Sequence, residues 1–178
     1  RGESEPAAAG ERLRTLMHLA LRQEQFLLNT SVQALMQKIP PPSGLQSGAR
    51  ALAEGGEQEP EELMAWLERS GYEIVNEVQE RSQAARRGGL VDAWPPPEPC
   101  PVRIEFEGAA IASLRRFDPI DQRSLAGAAK ISRVLLLPAN DAFLARGGPP
   151  RLPSAYLPAD TIFFWAEKCA PEIEPAAR

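Results

Sequence analysis

Residues 86–123 read RRGGLVDAWPPPEPCPVRIEFEGAAIASLRRFDPIDQR, and this stretch decides the fold. Within it, Val102-Arg103-Ile104-Glu105-Phe106-Glu107 alternates apolar and charged residues with period two. That period puts Val102, Ile104 and Phe106 on the buried face of a strand and turns Arg103, Glu105 and Glu107 outward. Gly108 is free to take the positive φ of a tight turn, so Ile111 to Phe117 reads as the return strand of a hairpin. Upstream, Gly89 to Trp94 is a short apolar run bounded by a Gly pair and by Pro95-Pro96-Pro97, which cannot donate to a ladder. A third strand fits there.

Working outward on the N-terminal side, Pro60 suits the first turn of a helix, Glu59, Glu61 and Glu62 complement its positive end, and Leu63, Met64, Trp66 and Leu67 form its buried side. Gly71 reads as a left-handed cap. Ala49 to Gln58 reads as a strand leading into this helix, and Tyr72 to Val78 as a strand leaving it. On the C-terminal side, Gln122 to Lys130 is a polar connection and Ile131 to Leu137 a closing strand that stops at Pro138. Glu11 to Gln23 carries Leu13, Leu16, Met17, Ala20 and Leu21 at helical spacing, with Arg12, Arg14 and Arg22 in water. Phe26 to Leu28 reads as a short strand, Ser31 as the N-cap of a brief helix, and Pro40-Pro41-Pro42 as its end. The expected class is α+β: a mainly antiparallel sheet with one covering helix, flanked by partial α/β layer segments from the two chain ends.

The runs ARRGGLVDAWPP, PVRIEFEGAAIASLRRFDPIDQRSL and VLLLPA resemble domain 2 of bacterial transcription-repair coupling factors (Mfd) and, more distantly, the equivalent domain of the excision-repair protein UvrB. EELMAWLERSGYEIVNEV is similar to the opening of that domain, LLNTSVQALMQKIPPP to the end of the preceding domain 1A, and SAYLPADTIFFWAE to a strand of domain 1B. The resemblance implies an N-terminal UvrB-like region divided as 1–46 (domain 1A-like), 47–138 (the UvrA-interaction module) and 139–178 (abbreviated domain 1B-like). It implies recruitment of UvrA, linking stalled RNA polymerase to nucleotide excision repair. Two alternatives stay open: a fragment of a UvrB-like damage-verifying helicase, and a standalone relative with weakened UvrA binding.

The resemblance also implies the contact residues: an arginine before the Gly pair, an arginine in the next strand, and a phenylalanine four residues later. These positions are Arg87, Arg103 and Glu107 here, so the third departs from the pattern. Glu105 and Glu107 lie on the strand face of Arg103 and are placed to pair with it. Arg115, Arg116 and Phe117 form a second basic and aromatic cluster, whose ordinary reading is a solvated hairpin end.

Chemistry is sparse. No Gly-x-x-x-x-Gly-Lys-Ser/Thr run cradles a phosphate, so ATP hydrolysis by this chain is not expected, and no catalytic or cofactor-binding residue is assigned. His18 stands alone in the first helix, away from any triad or metal partner. Asp92, Asp118 and Asp121 invite an acid/base reading, but an Asp beside Pro119 more commonly forms a turn. Cys100 and Cys169 have no metal-ligand spacing, and reduced thiols are expected. The formal net charge of −4 favours no general binding to a phosphate backbone. Contacts to RNA polymerase or DNA are expected only through other parts of a longer parent. No apolar run reaches membrane-spanning length and residues 1–10 lack a signal core, so a cytoplasmic monomer without cofactor or membrane partner is expected.

Overall fold

Pro60 at the first helical position and an apolar stripe three to four residues apart shape the helix that covers the sheet. The computed structural model describes residues 5–21, 26–123, 130–139 and 148–164, with side chains for all of these except 5–11 and 21. Its elements are α1 (Glu5–Leu21), α2 (Val32–Leu35), α3 (Pro42–Gly48), β1 (Arg50–Ala53), α4 (Pro60–Arg69), β2 (Glu73–Ile74), β3 (Gln83–Arg87), β4 (Leu90–Ala93), β5 (Val102–Glu107), β6 (Ala110–Arg116) and β7 (Arg133–Leu136), followed by a 3-10 turn at Pro153–Tyr156. The class is α+β.

Five strands form one sheet in the order β2-β3-β4-β5-β6, antiparallel except for the parallel β2–β3 pair. Two hairpins build it, closed by the pairs Arg87↔Leu90 and Glu107↔Ala110. Each turn has two residues and opens on a left-handed glycine, Gly88 at φ 60° and Gly108 at φ 62°. A side chain there would be strained, and this geometry matches the right-handed twist of the strands. β1 and β7 form a separate antiparallel ribbon that meets the edge of β6 through the bridge Arg115↔Lys130 and the hydrogen bond from Gly55 N to Ile111 O at 2.8 Å.

The alternation expected for β5 is observed: Val102, Ile104 and Phe106 are buried. On β6 the buried residues Ile111 and Leu114 are three apart, which a regular strand cannot place on one face. A register shift resolves this. Glu105 pairs with Ser113 but Phe106 pairs with Ile111, so Ala112 is an extra residue and Ile111 turns inward. Leu63 and Leu67 of α4 close the core against Val91, Ile104, Leu114 and the ribbon residues Leu52 and Leu136. Each such side chain contributes roughly 1.5–3 kcal/mol by leaving water.

A second core joins the flanks to the sheet region. Leu13 and Leu16 of α1 pack with Ile39, Leu45, Leu137 and Tyr156, the stripe the helical spacing predicts. Arg14 does not stay in water: its Nε donates to Pro97 O at 2.7 Å and ties α1 to the proline loop. Ser31 caps α2 as expected, its hydroxyl accepting from Ala34 N at 3.2 Å. Three strand expectations need correction. Phe26–Leu28 forms no strand, since no neighbouring segment pairs with it. The strand expected over Tyr72–Val78 shrinks to Glu73–Ile74, because the pairing with β3 ends at Ile74↔Ala84 and the chain then turns Val78 into the core beside Ala85 and Phe117, while Tyr72 donates its hydroxyl to Leu137 O at 2.6 Å. The strand expected over 154–167 is absent through residue 164, where a 3-10 turn at Pro153–Tyr156 stands instead, and residues 165–167 lie outside the described residues. Likewise Pro42 starts α3 instead of merely ending α2, as a proline at a first helical position allows. Residues 124–129 of the polar connection, and Arg22, also lie outside the described residues.

Burial pushes the Tyr72 phenol well above its ordinary range. An unfolded tyrosine ionises near pH ~10, so the stability held by the protonated phenol is complete below that pH and is lost as pH rises above it. Tyr72→Phe is expected to cost about 1 kcal/mol at neutral pH and to flatten the decline of stability above pH ~10, as read by urea unfolding at a series of pH values.

Candidate protein-interaction site

One acidic residue organises the sheet face that turns away from α4. On β4 the alternation that buries Val91 and Ala93 under α4 sends Leu90 and Asp92 to the opposite face. Register sets Asp92 beside Ala85 on β3 and Arg103 on β5, with Arg87 one diagonal step away. Small Ala85 leaves the space above Asp92 to the two long arginines.

The carboxylate accepts from both. Arg103 donates Nε to Oδ1 and Nη2 to Oδ2, each at 2.8 Å, a bidentate fork. Arg87 donates Nη2 to Oδ2 at 3.1 Å. Arg103 also lies over the Phe117 ring, 4.5 Å from its centroid, and donates Nη1 to Gln122 O at 3.2 Å. The bond to Asp92 raises the Arg103 pKa further. Arg87 reaches Glu77 and the Gln122 side chain, both at 3.5 Å. Side-chain exposure separates the roles: Asp92 is 2 % exposed, Arg103 19 % and Arg87 42 %. Two cations share one buried anion, and Arg87, which also pairs with Glu77, carries its guanidinium to solvent.

The structure therefore brings Arg87 and Arg103 together and leaves Glu107 apart. Four residues of strand place Glu107 about 13 Å from Arg103, at the exposed hairpin end. The Glu107 side chain has no hydrogen-bond or ion-pair partner among the described residues. The expected pairing of Arg103 with Glu105 or Glu107 is corrected: Glu105 instead accepts from Ser113 Oγ at 2.8 Å and Arg115 Nη2 at 2.9 Å across the β5–β6 hairpin. Asp92, named from the sequence only as an acid/base candidate, is the residue whose role as shared counter-ion sequence reasoning missed. Its signal is an acid at an outward position of a strand, two strand positions from Leu90 and facing an arginine once the register is known. Asp118 and Asp121 do form turns, accepting from Ile120 N at 2.7 Å and Arg123 N at 2.8 Å.

The second cluster is tied down as well. Phe117 is buried, Arg115 pairs with Glu105 and Arg116 with Glu98 at 3.0 Å. His18 is exposed on α1. Cys100 is a half-buried thiol whose pKa burial pushes up, while Cys169 lies outside the described residues. No three metal-ligating side chains cluster among the described residues, and no helix among them is long and apolar enough to cross a membrane.

Comparison with known proteins bears on this face. The chain is 35 % identical over 149 residues to a transcription-repair-coupling factor of Myxococcus xanthus, covering 84 % of this chain and 12 % of the relative. It is 35 % identical over 130 residues to that of Escherichia coli (strain K12), covering 73 % and 11 %, and 34 % identical over 130 residues to that of Haemophilus influenzae, again covering 73 % and 11 %. The chain thus spans 11–12 % of the length of these relatives. A family profile for the UvrB interaction domain matches residues 51–141, just over half of the 178 residues and the part that holds α4, both sheets and the Asp92 cluster. With that match across the segment that builds the arginine face, the chain belongs to the UvrB interaction domain family.

Proposed function

We propose that the chain is a recruiting module that docks UvrA, as part of a transcription-repair coupling factor that links stalled RNA polymerase to nucleotide excision repair. In this reading residues 47–138 form the docking module, 1–46 and 139–178 are its flanking segments, and polymerase and DNA contacts belong to other parts of the parent. The module works as a cytoplasmic monomer and performs no catalysis itself.

The observation that carries the reading is the half-exposed Arg87 guanidinium, fixed by Asp92 beside the bidentate Arg103. An ordered guanidinium loses little side-chain freedom on binding, and its remaining donors suit a carboxylate of an acidic partner. Arg103 acts chiefly behind it by holding Asp92. Glu107 lies farther along the same face. There a carboxylate repels an acidic partner, where an aromatic residue would supply an anchor. Glu107→Phe is expected to tighten UvrA binding about threefold to tenfold, measured by isothermal titration calorimetry. An unchanged or weaker affinity removes Glu107 from the docking surface.

A further inference from the structure

The turn Asp118-Pro119-Ile120-Asp121-Gln122 sits against the arginine cluster and presents an exposed aliphatic side chain. Ile120 is 93 % exposed. A single exposed aliphatic residue is ordinary on a protein surface. What distinguishes Ile120 is the framework that holds it. Asp118 accepts from Ile120 N at 2.7 Å, and Gln122 N donates to Asp118 O at 2.9 Å. The Gln122 amide donates to Pro119 O at 2.9 Å and to Val78 O at 3.1 Å, fastening the turn to the β2–β3 connection. Gln122 itself is left-handed, φ 61°, a conformation a non-glycine residue holds only when its surroundings impose it.

The same Gln122 accepts from Arg103 through its backbone carbonyl and faces Arg87 through its side-chain oxygen. The turn and the two guanidiniums are thus one hydrogen-bonded unit, and Ile120 stands two residues from the Gln122 that contacts both arginines. The geometry points to Ile120 as an apolar anchor that enters a socket on the same acidic partner that meets Arg87. This rests on the UvrA-docking reading. An anchor held rigid before contact avoids the ordering cost of a mobile loop.

The test is calorimetric titration of UvrA with the wild-type chain, Ile120→Ser, Ile120→Leu and Arg87→Ala. Ile120→Ser removes the apolar contact without adding charge. Because the side chain is in water, it leaves thermal unfolding unchanged. The expected result is binding weakened roughly tenfold or more by Ile120→Ser and within about threefold of wild type for Ile120→Leu. Ile120→Ser within about threefold of wild type, alongside a weakened Arg87→Ala, overturns the anchor and leaves the docking reading in place. Absence of UvrA binding by the wild-type chain overturns both.

Discussion

Asp92→Asn is expected to destabilise the chain by about 3 kcal/mol, the largest effect of any single polar substitution on this face. The carboxylate is almost wholly buried and accepts three charge-assisted hydrogen bonds. An amide can accept at only one atom and carries no charge, so the substitution leaves Arg103 largely buried over Phe117 without a counter-ion. Breaking a buried ion pair by removing one partner costs about 3–5 kcal/mol. The lower end applies because Arg87 reaches solvent and recovers hydration. Urea unfolding measures this as a lowered midpoint. Replacing the pair together, Asp92→Leu with Arg103→Met, is expected to cost less than Asp92→Asn alone, because no charge is then left buried.

Arg87→Ala is expected to weaken UvrA binding at least tenfold, roughly, while changing stability by less than about 1 kcal/mol. The two numbers separate because Arg103 still neutralises Asp92 when Arg87 is gone, whereas the exposed donors are lost to the partner. The affinity of the wild-type chain is expected to fall as salt rises, and that of Arg87→Ala to fall less steeply. Arg103→Ala behaves differently. It strips the bidentate partner from Asp92 and lowers both stability and affinity, so its binding loss by itself says little about direct contact.

Much of the fold is legible in the residues. α4 announces itself through Pro60 and the Leu63, Met64, Trp66 and Leu67 stripe, β5 through strict alternation, and the β5–β6 hairpin through Gly108. β3 is not legible: Gln83-Ala84-Ala85-Arg86-Arg87 has no large apolar residue, and its alanines are buried only because β4 lies beside them and α4 and Phe117 lie above and below. The bulge at Ala112 is hidden for a similar reason, since it answers to the partner strand. At the site, the resemblance marks Arg87 and Arg103 from their neighbours in sequence. The pairing of Asp92 with both arginines stays invisible until the register sets β4 between β3 and β5, and the proline-rich loop from Pro95 to Pro101 conceals that register. Glu105 misleads because same-face spacing along one strand places it beside Arg103, while the cross-strand neighbours Ser113 and Arg115 are closer.

Adjacent arginines offer a direct control on the docking face. Arg86 precedes Arg87 on β3 but points to the opposite side of the sheet, where it donates to Glu61 of α4 at 2.6 Å and holds that carboxyl below its usual pKa. Calorimetric titration of UvrA with Arg86→Ala and Arg87→Ala therefore tests which face the partner uses. Near wild-type affinity for Arg86→Ala with at least a tenfold loss, roughly, for Arg87→Ala is the predicted result. Equal affinities for the two variants, or a loss confined to Arg86→Ala, would contradict docking on the Asp92 face.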